Sequence, residues 1–214
     1  MSEAREAILA EIRTALRRDR LTPQERNQLE ARIVTPAQHT RPQFDDDLVR
    51  RFVSKLTARD ATVTSVKTMA DVGAALSAYI AGLGVQPRIA AAPALADLQW
   101  PAWLELYFGK ARPDEEVAVT SCFAGIAETG SLVLLSGPET PTTLNFVPEN
   151  HVIIIRSQQI VRHFEDVWSM LRALPTGMPR TVNVIAGPSR TADVEQTIQL
   201  GAHGPRRLHV VLVE

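Results

Sequence analysis

The chain has 214 residues, of which 45% are apolar and 22% charged, the composition of a globular protein with a sizeable core. Its formal net charge of −1 gives no support for nucleic-acid binding, which needs a basic surface. The single cysteine, Cys122, excludes an internal disulfide and cannot by itself ligate an iron–sulfur cluster. Without a signal peptide or a run of about 20 apolar residues, the chain is expected in the cytoplasm with no membrane span.

Residues 1–43 predict a helical arm and a linker. Apolar side chains recur at helical spacing over residues 3–17, which indicates an amphipathic helix. Thr22 and Glu25 have the spacing of a capping box and predict the start of a second helix. A proline-bearing polar stretch without periodicity follows, so residues 44–214 are expected to form a separate α/β domain.

That domain alternates predicted strands and helices, which is typical of a mostly parallel sheet with helices on both faces. The continuous β-branched run from Val152 to Ile155 indicates a strand buried on both faces. Helices are predicted over residues 45–56, 68–83 and 160–171, and about seven strands over 61–66, 88–92, 117–121, 131–136, 151–156, 181–186 and 208–213.

A first candidate site lies in Glu128-Thr129-Gly130-Ser131, just ahead of a predicted strand. Glycine permits backbone conformations that other residues resist, so the glutamate can be held on a tight turn at the edge of the sheet. Glu128 could act as a nucleophile, a general base or a hydrogen-bond acceptor for a ligand that Thr129, Gly130 and Ser131 also contact. A turn glutamate that binds backbone N–H groups explains the same pattern, and the sequence leaves both interpretations open.

A second candidate, Gly187-Pro188-Ser189-Arg190-Thr191, follows a predicted strand and leads into a predicted helix. Free N–H groups at a helix start, the Ser189 and Thr191 hydroxyls and the Arg190 guanidinium together suit a carboxylate or a phosphate. In open α/β sheets, ligands bind beyond the carboxyl ends of the strands, where this loop is expected. A helix cap without a ligand explains every residue except Arg190.

The third candidate is the loop that contains His203 and Gly204, ahead of the last predicted strand. An imidazole between glycines could act as an acid or a base and Gly204 could contact a ligand, although a hydrogen-bonded structural histidine fits equally. His151 could face the same cleft or serve as a structural residue at a strand entry. Common nucleotide, zinc-protease and hydrolase motifs are missing from the sequence, and no metal site is predicted.

Taken together, these segments resemble the LUD domain of the lactate-utilisation protein C family. The resemblance is strongest over residues 117–214 and rests on the stretches 127–131, 148–151, 187–195 and 201–210. It implies a fold similar to the superfamily of CoA transferases, ribose-phosphate isomerases and glucosamine-phosphate deaminases. It also implies a role in the oxidation of L-lactate to pyruvate as one of three proteins encoded together, the other two carrying iron–sulfur motifs or cysteine-rich domains.

The resemblance therefore predicts a non-redox subunit of a lactate-oxidising complex, with a small carboxylate or phosphate ligand and no cofactor of its own. Iron–sulfur clusters are expected on the partner subunits, and a homo-oligomer is left open. One alternative is a stand-alone enzyme on a sugar phosphate or an acyl-CoA, because Glu128-Thr129-Gly130 is similar to the glutamate and glycine of class I CoA transferases. The rest of their glycine-rich CoA pocket is not recognisable here.

A further alternative is a regulatory or scaffold protein that binds a partner through the C-terminal loops. The helical arm motivates it, and a pull-down after removal of residues 1–43 would test it.

Overall fold

The computed structural model describes residues 3–17, 21–35, 40–191, 199–201 and 203–214. The chain divides into two compact units, Met1–Pro42 and Gln43–Glu214. The first unit contains helices α1 (Glu3–Ala15) and α2 (Pro23–Val34). Thr22 caps α2 and forms the predicted capping box with Glu25, so the helix start follows from local hydrogen bonding.

The second unit contains three further α-helices and twelve short strands within the described residues. The helices are α3 (Leu48–Thr57), α4 (Val72–Leu83) and α5 (Phe164–Arg172). The strands are β1 (Thr62–Val66), β2 (Arg88–Ala91), β3 (Glu105–Phe108), β4 (Val117–Ser121), β5 (Ala124–Ile126), β6 (Ser131–Leu135), β7 (Asn150–Arg156), β8 (Ile160–Val161), β9 (Val182–Ile185), β10 (Arg190–Thr191), β11 (Gln199–Leu200) and β12 (Arg207–Val213). No helix in these described ranges is long and apolar enough to cross a bilayer.

A six-stranded sheet forms the centre of this unit, in the order β1-β12-β7-β4-β2-β3, and all of its strand pairs are parallel. Successive residues of the central strand β7 belong to different cores. Val152 and Ile154 pack in the core that contains α4, whereas Ile153 and Ile155 pack in the core that contains α3. Both faces of the sheet are therefore covered, as the apolar run of β7 predicts, and the α/β class is confirmed.

The face that carries α3 is also covered by a second, four-stranded sheet in the order β8-β5-β6-β9. On its far side this small sheet packs against α5 through Val167 and Leu171. The prediction of one sheet of about seven strands is thus corrected: β6 and β9 pair antiparallel with each other in the second sheet, and the edge strand β3 was not predicted. Alternating apolar residues mark a strand but do not name its partner.

The helix predicted over residues 160–171 begins later, at Phe164. Ile160 and Val161 instead form β8 and pair with Gly125 and Ile126 of β5. The start of α5 is set by a local contact, because the His163 N–H donates to Asp166 Oδ2 at 2.8 Å. The apolar spacing alone does not show that the first two residues gain a strand partner.

Candidate functional site

The two glycine-bearing segments meet the same end of helix α3. Gly130 has φ +68°, and a Cβ there would lie 2.6 Å from the Leu56 nitrogen. Gly187 has φ +147°, and its Cβ would lie 2.8 Å from the Arg59 carbonyl oxygen. Both positions need glycine, because the backbone has a positive φ and because the backbone of α3, or of the residues just after it, is too close. The two predicted segments therefore each pack against the carboxyl end of α3.

The segment that begins at Gly187 does not lie at the carboxyl ends of the main-sheet strands. It follows β9 of the second sheet and shares a cavity with His151 and Leu208, which stand near the amino-terminal ends of β7 and β12. The expectation of a site beyond the carboxyl ends is thus wrong for this loop. The expectation assumed that the strand before Gly187 belongs to the main parallel sheet. That strand, β9, belongs to the four-stranded sheet instead.

Arg190 and Thr191 form the short strand β10, which pairs antiparallel with β11. A helix start directly after Ser189 is therefore wrong, because these residues are extended and hydrogen-bonded to another strand. The helix predicted after this segment falls on residues 192–198, which lie outside the described residues. The Arg190 guanidinium forms an ion pair with Asp60, whose carboxylate is 73% exposed, and Arg190 does not line the cavity.

The loop that contains Ser189 is joined to the loop that contains His203. The Ser189 N–H donates to the Pro205 carbonyl at 2.8 Å, and the His203 N–H donates to Ser189 Oγ at 3.2 Å. The Gly201 N–H donates to the Ser189 carbonyl at 3.0 Å. These bonds make one wall from two sequence segments that were predicted separately.

Between these loops lies a cavity of about 230 Å³, called here the loop cavity. Four predicted site residues line it, namely Gly187, Ser189, His203 and Gly204. The rest of its lining is Asn145, Phe146, His151, Val184, Ile185, Ala186, Pro188, Pro205 and Leu208. The volume is below the about 300–1,000 Å³ of pockets for drug-sized ligands, so the cavity suits a small molecule.

Two buried polar side chains, His151 and Asn145, line the loop cavity. His151 is fully buried, and its Nε2 shares a 2.8 Å hydrogen bond with Thr120 Oγ1 while its Nδ1 has no partner. Burial lowers the pKa of His151 from 6.5 to about 3, so the imidazole is neutral at physiological pH. Asn145 is 3% exposed and lines the same cavity. An unpaired buried polar atom such as His151 Nδ1 is costly, which indicates a ligand or water at this position.

Glu128 lies outside the loop cavity, at the start of helix α5. Its Oε2 is 3.2 Å from His163 Nδ1 and accepts the Phe164 N–H at 3.4 Å. His163 is buried and packs edge-on against Phe44, with ring centroids 5.3 Å apart. A carboxylate at this position complements the helix dipole, so one Glu128 oxygen has a structural role. The other has no partner in the described part of the chain.

Thr129 and Ser131 stabilise the turn after Glu128. The Thr129 hydroxyl donates to Ser131 Oγ at 2.8 Å, and the Gly130 N–H donates to the Ile126 carbonyl at 2.8 Å. None of the predicted residues 128–131 lines the loop cavity, so the predicted site is divided between two places.

Sequence reasoning missed His163 and Asn145. His163 has a local signal, since it stands three residues before Asp166 in the register of a helix cap, but nothing local marks it as a neighbour of Glu128. Asn145 ends a short 3₁₀ turn and carries no motif. Among the residues that the structure describes, no group of three or more His, Cys, Asp or Glu side chains is placed to hold a metal ion.

All three predicted loops fall within residues 114–213, which match the LUD domain. The matched span includes both sheets' central strands and the whole lining of the loop cavity.

Proteins similar to this chain include several with lactate-utilisation names. An uncharacterized protein of Neisseria meningitidis, NMB1437, is 40% identical over 89 residues, which cover 42% of this chain and 38% of the relative. The lactate utilization protein C of Exiguobacterium sp. is 32% identical over 101 residues, or 46% of this chain and 44% of the relative. That of Deinococcus radiodurans is 33% identical over 100 residues, 46% of each chain. The chain thus spans less than half the length of these relatives.

A solved structure shares the fold. The crystal structure of a DUF162 family protein from Deinococcus radiodurans superposes with a TM-score of 0.61 at 20% sequence identity, covering 81% of this chain and all of that one. At this level of identity the likeness concerns the fold alone. It extends beyond the LUD match and agrees with the α/β architecture.

Proposed function

We propose that this chain is a cytoplasmic, non-redox subunit of a complex that oxidises L-lactate to pyruvate. The similarity of this chain to lactate utilization protein C relatives supports a role in lactate utilisation. Oxidation of L-lactate releases two electrons and two protons, and the single cysteine of this chain cannot hold an iron–sulfur cluster. In this proposal the electrons pass to iron–sulfur clusters on cysteine-rich partner subunits.

The proposed ligand of this subunit is a small carboxylate such as L-lactate, and the loop cavity supports the assignment best. Its volume of about 230 Å³ fits a small acid. The buried His151 is neutral and Asn145 is uncharged, so the floor of the cavity can bind a hydroxyl but cannot neutralise a buried carboxylate. The carboxylate would therefore face Ser189 and the exposed His203.

Growth on L-lactate tests this function. Deletion of the gene, in a strain without a paralogue, is expected to abolish growth on L-lactate as sole carbon source, and the wild-type gene is expected to restore it. The gene for the Asn145→Leu variant should not restore growth on L-lactate, because leucine fills the same space without hydrogen-bonding groups. Circular dichroism of the purified variant checks that it is folded.

Asn183→Leu is the matched control. Its amide nitrogen is buried without a partner, but it lies outside the loop cavity, so this variant should complement like the wild type. Unimpaired growth of the deletion strain would contradict the role in lactate oxidation. Full complementation by Asn145→Leu would remove the loop cavity from that role and leave the role itself standing.

The second candidate is an enzyme that acts on a sugar phosphate or an acyl-CoA, with Glu128 as nucleophile or base. The close approach of Glu128 to the imidazole of His163 favours it, because such pairs orient catalytic groups. The small volume of the loop cavity argues against acyl-CoA at that position.

Under this second candidate, Glu128→Gln is expected to lower turnover by about 10²–10⁴-fold without unfolding the protein. The assay is a panel of sugar phosphates and acyl-CoA thioesters with purified protein, with circular dichroism as the check on folding. Glu105→Gln, at an exposed position on edge strand β3, serves as control and should retain full activity. An inactive wild type, or an active Glu128→Gln variant, would remove the candidate.

A further inference from the structure

A second and larger cavity, of about 480 Å³, lies at the carboxyl ends of the main-sheet strands, whereas the loop cavity lies near the amino ends of β7 and β12. It is bounded by residues at or just after the carboxyl ends of β1, β2, β4 and β7. Its lining is Met69, Ala70, Ala94, Leu95, Asp97, Leu98, Gln99, Ser121, Cys122, Ile154, Arg156 and Gln159. None of these residues belongs to the predicted loops, and we call this the switch-point cavity.

The strand order explains why a crevice forms here. After β2 the chain moves outward to the edge strand β3, whereas after β4 it moves the other way, to β7 and then β12. The adjacent strands β2 and β4 are therefore followed by connections that leave in opposite directions, which opens a gap at their carboxyl ends. In open parallel sheets this is the position where ligands bind. Leu95 follows β2 and Ser121 ends β4, so the cavity lies in this gap.

One wall carries a guanidinium that has no acidic partner in the part of the chain that the structure describes. Arg156 is the last residue of β7, and its backbone N–H donates to Gln159 Oε1 at 2.8 Å. Gln159 Nε2 donates in turn to the Cys122 carbonyl at 2.9 Å, so the backbone of Arg156 is held against the end of β4. Within the described ranges no carboxylate is close enough to the Arg156 guanidinium to form an ion pair. Arg156 and the single acidic lining residue, Asp97, are both exposed.

The other walls combine one hydroxyl with apolar surface. Ser121 contributes a half-buried side chain whose hydroxyl has no partner among the described atoms. Leu95 and Leu98 contribute apolar surface. Cys122 is 5% exposed, and burial raises the pKa of its thiol, so it stays protonated and adds to the apolar wall.

We propose that the switch-point cavity binds an organic anion, with its carboxylate or phosphate on the Arg156 guanidinium and the Ser121 hydroxyl and its apolar part against Leu95 and Leu98. A guanidinium suits either anion through paired N–H donors. At about 480 Å³ the cavity has about twice the volume of the loop cavity, which places it within the about 300–1,000 Å³ range of ligand pockets. The site is separate from the proposed lactate site and does not depend on it.

An NMR titration of the full chain tests the site with phenyl phosphate, benzoate, benzyl alcohol and inorganic phosphate as probes. Phenyl phosphate or benzoate is expected to shift the backbone amides of Ser121, Cys122 and Arg156 saturably, and the stronger of the two identifies the anionic group. Benzyl alcohol lacks the charge and inorganic phosphate lacks the apolar part, so each should bind at least about tenfold more weakly.

Arg156→Gln is expected to weaken the binding of the stronger aromatic probe by at least about tenfold. Arg172→Gln replaces an exposed arginine on α5 outside the cavity and should leave the affinity unchanged. Three outcomes would overturn the proposal: no saturable shift at these amides, equal affinity in Arg156→Gln, or shifts confined to the residues of the loop cavity. Loss of lactate growth in the earlier test has no bearing on this result.

Discussion

Replacement of Gly130 by alanine is expected to lower the free energy of unfolding by roughly 2–5 kcal/mol. The positive φ of +68° costs roughly 1–2 kcal/mol for a residue with a Cβ. The overlap adds roughly 1–3 kcal/mol, because the new Cβ would lie 2.6 Å from the Leu56 nitrogen and a helix backbone cannot move aside as a side chain can. Urea denaturation of the two proteins measures the difference.

Gly84 provides a matched comparison for this prediction. It ends α4 with φ +67°, nearly the same backbone conformation, but a Cβ there would meet nothing within 4 Å. Gly84→Ala should therefore cost only the conformational part, roughly 1–2 kcal/mol. If Gly130→Ala costs no more than Gly84→Ala, the close approach of the Glu128 turn to α3 is not a determinant of stability.

The protein is expected to lose stability steeply as the pH falls below about 6.5, because of two buried histidines. Burial lowers the pKa of His151 to about 3 and that of His209 to about 4, from 6.5 in the unfolded chain. At a pH between the folded-state and unfolded-state pKa values, each histidine is protonated in the unfolded chain but not in the folded protein. The stabilisation is therefore complete above pH 6.5 and decreases as the pH falls. Each histidine contributes about 1.4 kcal/mol per pH unit in this window.

Chemical denaturation at several pH values between 7.5 and 4.5 measures this slope. His209 shares a 2.7 Å hydrogen bond with Thr62 Oγ1 and stacks on Tyr79, while its Nε2 is buried without a partner. His209→Gln should reduce the slope by about 1.4 kcal/mol per pH unit, and His151→Gln should do the same. The slope is informative even if either variant is less stable throughout. A wild-type stability that is flat from pH 6 to pH 4.5 would contradict the prediction.

The two cavities place a proposed ligand site at each end of the main-sheet strands. The loop cavity lies at the amino ends of β7 and β12, and the switch-point cavity lies at the carboxyl ends of β2, β4 and β7. Strand β7 contributes His151 to one cavity and Arg156 to the other, and the two residues are five positions apart in the sequence. The neutral imidazole and the charged guanidinium make the two ends chemically different, so they are expected to bind different molecules.

Several parts of the protein follow from the sequence by itself. Two helix starts are set by capping boxes, Thr22 with Glu25 and Thr68 with Asp71. In each box the two partners are only a few residues apart in the chain. The apolar run of β7 shows a strand buried on both faces. These features appear as short-range patterns in the sequence, so they can be predicted without knowledge of the tertiary structure. The glycines at 130 and 187 likewise mark backbone positions that no other residue takes easily.

Only the tertiary structure decided which strands pair and where the loops lie. β6 and β9 look like any other strands of the domain, but they pair in a second sheet, and this moves the Gly187 segment to the amino edge of the main sheet. Ile160 and Val161 form a strand rather than the start of the helix, because they pair with β5. His163 meets Glu128 from 35 residues away. Pairing over such separations depends on how the whole chain packs, and a local pattern carries no record of that choice.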